Sequence, residues 1–83
     1  MSRYYFHVKD GTASLDDTGE VFSSMEKVRA EAVRAAGEIL RDLGDTFWDH
    51  SLWTMWVTDE SGATVLTLSF SGVEIPSAVL RAA

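Results

Sequence analysis

His7 and Asp10 stand three residues apart in "HVKDG", the pair Asp16-Asp17 follows, and a second histidine, His50, lies far along the chain. Imidazole and carboxylate together are the donor set of a metal site or of an acid/base pair. The spacing supports neither directly. Residues three apart on a strand face opposite ways, so Asp10 reaches His7 only if the chain turns after Lys9. No H-x-x-x-H, H-E-x-x-H or calcium-loop spacing occurs. Asp16-Asp17 and Asp59-Glu60 fall where turns are expected, and carboxylates there ordinarily accept local backbone hydrogen bonds. Serines are plentiful, but there is no G-x-S-x-G elbow to expose one as a nucleophile. G-x-x-x-x-G-K and G-x-G-x-x-G phosphate loops are also missing. With no cysteine, thiolate chemistry, disulfides and Cys-ligated zinc are excluded. The expectation is no catalytic residue, no metal ligand and no cofactor. A metal-dependent enzyme using His7 and a nearby aspartate is kept as an alternative.

The elements that would position these residues follow from periodicity. Residues 3–9 alternate, with Tyr4, Phe6 and Val8 on one face and Arg3, Tyr5, His7 and Lys9 on the other. Asp10-Gly11 marks a hairpin turn, and a weak return strand is expected over 12–16 with Leu15 as its apolar contribution. Ser23 and Glu26 fit a capping box. Met25, Val28, Ala32, Ala35, Ile39 and Leu43 then recur at helical spacing and Gly44 is placed to end the run, which predicts a helix over 24–43. Arg29 sits at the edge of that stripe, either snorkelling to water or paired with Asp16 or Asp17. Ala30, Val33 and Gly37 form a second flank of small residues that admits close approach of another backbone, the chain's own sheet or a partner. Residues 45–52 read as a loop. Two further strands are expected over 53–59 and 63–70, joined at Asp59–Gly62, and a helical turn is expected after Pro76.

The result is one small α+β domain over 1–83, ordered β-β-α-β-β: an antiparallel sheet of two hairpins with one amphipathic helix on one face. Its expected core is Tyr4, Phe6, Val8, Leu15, Trp53, Met55, Val57, Leu66, Leu68 and Phe70 against the helix stripe. One helix leaves the other sheet face open, and that face carries Tyr5, His7, Trp56 and Val65.

Composition narrows the function. The chain has 83 residues, 46% hydrophobic and 24% charged, which is enough apolar surface for a folded core. Thirteen acids against seven Lys and Arg give a net charge of −6. Phosphate binding draws its affinity from basic side chains, so nucleic acid and anionic membrane are poor partners. No secretory leader pattern and no apolar run near ~20 residues is present, which leads to an expected cytoplasmic location. Tyr and Trp are enriched at interface cores. The candidate interaction surface is therefore Tyr5, His7, Trp56, Phe47, Trp48 and Val65. The expected role is a non-catalytic interaction or accessory module, a homodimer joined through the open sheet face or a strand edge. Binding of another protein is the second possibility.

The opening "MSRYYFHVKDG" (Met1 to Gly11) and the hairpin "WTMWVTDESG" (Trp53 to Gly62) resemble the M-x-R-Y-[FY]-F-H-x-[RK]-D-G and W-x-[IV]-x-V-x-D-E-x-G motifs of a family of small bacterial proteins known as a domain of unknown function. Asp16, Asp17 and Gly19, and the helix "VRAEAVRAAGEIL", follow the same pattern, so the resemblance covers about residues 1–70. It implies a bacterial, cytosolic protein with no established activity and no catalytic residue to carry over. The chain departs from the family at Trp56, where relatives tend to be polar or charged, at Val28, usually alanine, and through "GDTFWDHSL". A weaker likeness, at the level of fold, is to the partner-binding antitoxin subunits of toxin–antitoxin pairs. That likeness would imply a regulatory subunit with a basic partner.

Overall fold

The alternating residues at the start form β1, Ser2–Asp10, the longest strand of a five-stranded antiparallel sheet. The structure is a computed structural model that describes residues 1–77. After β1 come β2 (Thr12–Ser14), β3 (Glu20–Phe22), the helix α1 (Met25–Leu43), a 3-10 helix (Gly44–Asp49), β4 (Leu52–Thr58) and β5 (Thr64–Ser71). The sheet runs β2-β1-β4-β5, with β3 also paired to β1. The α+β arrangement expected from the sequence is the one observed.

The first hairpin differs from expectation in one respect. Its return strand is broken in two. Val8 pairs with Ser14 and Tyr4 with Glu20, so five residues, Leu15–Gly19, stand opposite three, Tyr5–His7. The excess bulges out of the ladder. Leu15 rides on that bulge at 68% exposure and does not enter the core. Phe22 of β3 fills the core instead, with its ring 5.7 Å from Phe6 and 6.2 Å from Tyr4.

α1 buries Val28, Ala32 and Ala36, with Met25, Ala35, Ile39, Leu40 and Leu43 half-buried beside them. They pack on Trp53, Met55 and Val57, which lie in register with Phe70, Leu68 and Leu66 of β5. Burying each large side chain of this kind contributes ~1.5–3 kcal/mol. The cap is Ser24, whose Oγ accepts from the Lys27 amide at 3.3 Å, one residue later than the Ser23 box expected. At the other end Gly44 takes φ +53° as expected and its amide donates to the Leu40 carbonyl, but its ψ of −127° departs from the left-handed helical value.

Other expectations change with α1's position. Residues 44–49 form a 3-10 helix and not a loop, and it inserts Phe47 into the core. Phe70, expected in the core, is 51% exposed because the end of β5 extends beyond what α1 covers. Ala30, Val33 and Gly37 are exposed, so that flank does not meet the chain's own sheet. Arg29 is exposed and forms no ion pair with Asp16 or Asp17. The helical turn expected after Pro76 falls on residues outside those described. No helix among the described residues is long and apolar enough to cross a membrane.

Candidate functional site

The acids and histidine near the start of the chain do meet, through the bulge. Asp16 Oδ2 accepts the Phe6 amide at 3.1 Å, and Oδ1 accepts the amides of Thr18 and Gly19 at 3.0 Å each. The carboxylate thus takes the place of the missing strand ladder. Burial pushes the Asp16 carboxyl up, but the amides of Gly19, Phe6 and Thr18 outweigh it and hold its pKa below the ordinary value. In return the Asp16 amide donates to His7 Nδ1 at 3.1 Å. Nε2 of the same ring lies 2.9 Å from Thr58 Oγ1 on β4. A neutral imidazole protonated at Nε2 satisfies both bonds. Both His7 nitrogens and both Asp16 oxygens are therefore engaged by the fold itself. Among the described residues no group of three or more His, Asp or Glu could hold a metal ion.

Tyr5, His7 and Trp56 form a row on the open face. The Tyr5 and His7 rings stack at 6.5 Å and 9°, and His7 and Trp56 meet at 5.1 Å and 35°. Each is half-buried by its neighbours. Gly19 runs beneath Tyr5 with φ +70°, and a Cβ there would stand 2.8 Å from the Tyr5 ring. Much of this row's surface is thus already covered inside the chain. Val65 lies apart from it, at the β-bulge where β5 leaves register with β4.

Phe47 and Trp48 occupy a different place. Phe47, expected on the interaction surface, is a core residue at 4% exposure. The 3-10 helix turns it inward, where its ring meets Trp48 at 5.4 Å and Phe70 at 5.2 Å, both edge-on. Trp48 is 46% exposed and lies against Gly72, where a Cβ would stand 2.7 Å from its ring. The six candidates therefore split. Tyr5, His7 and Trp56 come together, while Phe47 and Trp48 sit on the helix side at the far end of β5.

That far side holds the feature the surface residues did not predict. An open apolar groove runs between α1 and β5. One part, ~270 Å³, is lined by Val33, Ala36, Gly37, Leu40, Leu68 and Phe70 among others. The next, ~650 Å³, shares Gly37, Leu40 and Phe70 and continues to Phe47, Trp48, Gly72 and Val73, with Arg41 as its one charged lining residue among the described residues. Alongside it β5 is the last strand of the sheet, with no strand on its outer side among the described residues. The sequence did carry a signal: "SGATVLTLSFSGV", from Ser61 to Val73, contains no charged residue. Exposed edges are ordinarily blunted by charge, proline or bulges. The opposite edge is blunted in that way, being short, bulged and acidic at Asp16-Asp17.

Among the described residues two side-chain polar atoms are buried without a partner, Asp10 Oδ1 and Trp53 Nε1. Both belong to the helix side of the sheet, one step beyond the Lys9↔Thr54 pair.

No curated protein and no solved structure matches the chain. Residues 3–71, from the first strand through the last, match the model of one protein family. The chain belongs to that family, the domain of unknown function DUF6894.

Proposed function

We propose that the protein is a non-catalytic interaction module that self-associates through the free edge of β5. The observation that carries this reading is the charge-free edge strand flanked by an apolar groove. An edge strand of this kind presents a row of unpaired N–H and C=O groups to any strand that can lie beside it. The chain carries a net charge of −6, and along β5 no carboxylate stands to repel a second copy. Apolar surface gathers there too. Val33, Trp48, Phe70 and Val73 are all exposed and all line the groove. The open face is a weaker candidate because Tyr5, His7 and Trp56 already cover one another.

Size-exclusion chromatography with light scattering tests the reading. Wild-type protein is expected at twice 9.2 kDa, and Ser69→Lys, which places a charge at an exposed position of the edge, is expected at 9.2 kDa with unchanged circular dichroism. Trp56→Glu on the open face should remain dimeric. A wild-type monomer at roughly 100 μM, which means a binding free energy weaker than about −5.5 kcal/mol, overturns the reading. So does dissociation by Trp56→Glu but not by Ser69→Lys.

A further inference from the structure

We infer that the second copy pairs with β5 antiparallel about a two-fold axis through Ser69, which places Ser69 opposite its own counterpart. This rests on the edge reading above and adds the register.

The backbone fixes which groups are free. The Gly72 amide donates to the Ser51 carbonyl at 3.1 Å, and at the other end of the hairpin the Asp59 amide donates to the Ala63 carbonyl at 2.9 Å. Gly72 thus turns its hydrogen-bonding groups toward β4. Direction alternates along an antiparallel strand, so Phe70 and Leu68 do the same. Thr67, Ser69 and Ser71 turn theirs outward. Toward the turn, the bulge at Val65 interrupts the pattern and protects that end of the edge.

A closed pair of identical edges must be isologous. An axis at Ser69 sets Ser69 against Ser69 and Thr67 against Ser71, so all three outward residues of each copy are paired, with none left over. An axis at Thr67 or Leu68 would carry the pairing onto the bulge. An axis at Phe70 would require Val73, beyond the end of the strand. The Ser69 axis also sets Phe70 directly opposite Leu68 of the second copy, on the helix side. The half-exposed Phe70 ring would then lie against an apolar neighbour at cross-strand distance. Strand pairing alone would be small. The groove above it adds the exposed Val33, Trp48 and Val73 to the surface that two copies can bury. The exposed small flank at Val33 and Gly37 borders the same seam and leaves room for the second copy's helix.

The absence of cysteine makes a clean test available. Residues directly opposite in a hydrogen-bonded pair lie at ~5.5 Å between Cα atoms, within the ~4.4–6.8 Å span of a disulfide. Under mild oxidation Ser69→Cys is expected to shift on a non-reducing gel to twice 9.2 kDa. Thr67→Cys and Ser71→Cys should stay at single mass alone and cross-link when mixed. Light scattering on each variant, reduced, reports whether the dimer is present. A dimer in which Ser69→Cys fails to cross-link, or in which Thr67→Cys alone cross-links as well as it does, overturns the Ser69 axis, while the edge reading stands or falls with Ser69→Lys. A monomer overturns both.

Discussion

His7 and Asp16 tie the bulge to β1: the Asp16 amide donates to His7 Nδ1 at 3.1 Å, while the Asp16 carboxylate accepts the amide of Phe6, the residue before His7, at 3.1 Å. The two bonds close the bulge that splits the return strand, and His7 carries the connection on to Thr58 of β4. The motif that looked most like a catalytic pair is thus a substitute for a length of β-ladder.

Removing the carboxylate should therefore cost stability. Asp16→Ala leaves the Phe6, Thr18 and Gly19 amides without this acceptor. Hydrogen bonds to a charged group contribute about 1.5–3 kcal/mol, and urea unfolding should register a loss of that order. The pH dependence has a definite sign. The folded-state pKa of Asp16 lies below its ordinary value, so on acidification the unfolded chain takes up the proton first. The stabilisation is fully present above the ordinary carboxylate pKa and is lost as pH falls through the lower, folded value. Asp16→Asn should flatten that part of the profile. An unchanged acid limb in Asp16→Asn would show that other carboxylates set it.

Much of this arrangement was legible in the sequence because a strand's period of two assigns faces directly. Tyr4, Phe6, Val8, Trp53, Met55 and Val57 all point to the helix side, as alternation requires. Where the ladder is replaced by a side chain, periodicity fails. Leu15 lies in the bulge and Phe22 beyond it, and nothing local says that Asp16 will accept from a backbone amide ten residues away. Phe47 and Phe70 depart from the expectation for a related reason. Which end of the sheet one helix covers is decided by its docking, and a hydrophobic stripe gives its direction but not its reach. The strand order, and hence the free edge, is a long-range fact. The charge-free stretch from Ser61 to Val73 was visible, but only the topology shows that it is an edge.

Two glycines should respond in opposite ways to alanine. Gly19 takes φ +70°, and a methyl group added there would stand 2.9 Å from the Tyr4 carbonyl oxygen and 2.8 Å from the Tyr5 ring. Strain of this kind costs about 1–3 kcal/mol before the contacts are counted, so Gly19→Ala should lower the urea midpoint clearly. Gly37 lies inside α1 with no atom within 4 Å of where its Cβ would be. Helix propensity alone favours alanine there by about 1 kcal/mol. Gly37→Ala should raise the midpoint, and a fall would mean that the groove beside Gly37 is filled in solution more tightly than in a single copy.

Phe47 and Phe70 touch edge-on at 5.2 Å, yet they should separate stability from association. Phe47 is enclosed, and Phe→Ala in a core costs about 3–5 kcal/mol. Phe47→Ala should therefore lower the melting temperature at every protein concentration. Phe70 has half its surface in solvent in one copy, so its truncation removes less from the monomer and more from a paired edge. A self-associating protein melts higher as concentration rises, because only the folded form binds. Wild type and Phe47→Ala should keep that slope, and Phe70→Ala should flatten it. If Phe70→Ala melts with the wild-type slope in differential scanning calorimetry, Phe70 does not contribute to the interface and the groove above β5 is not where two copies meet.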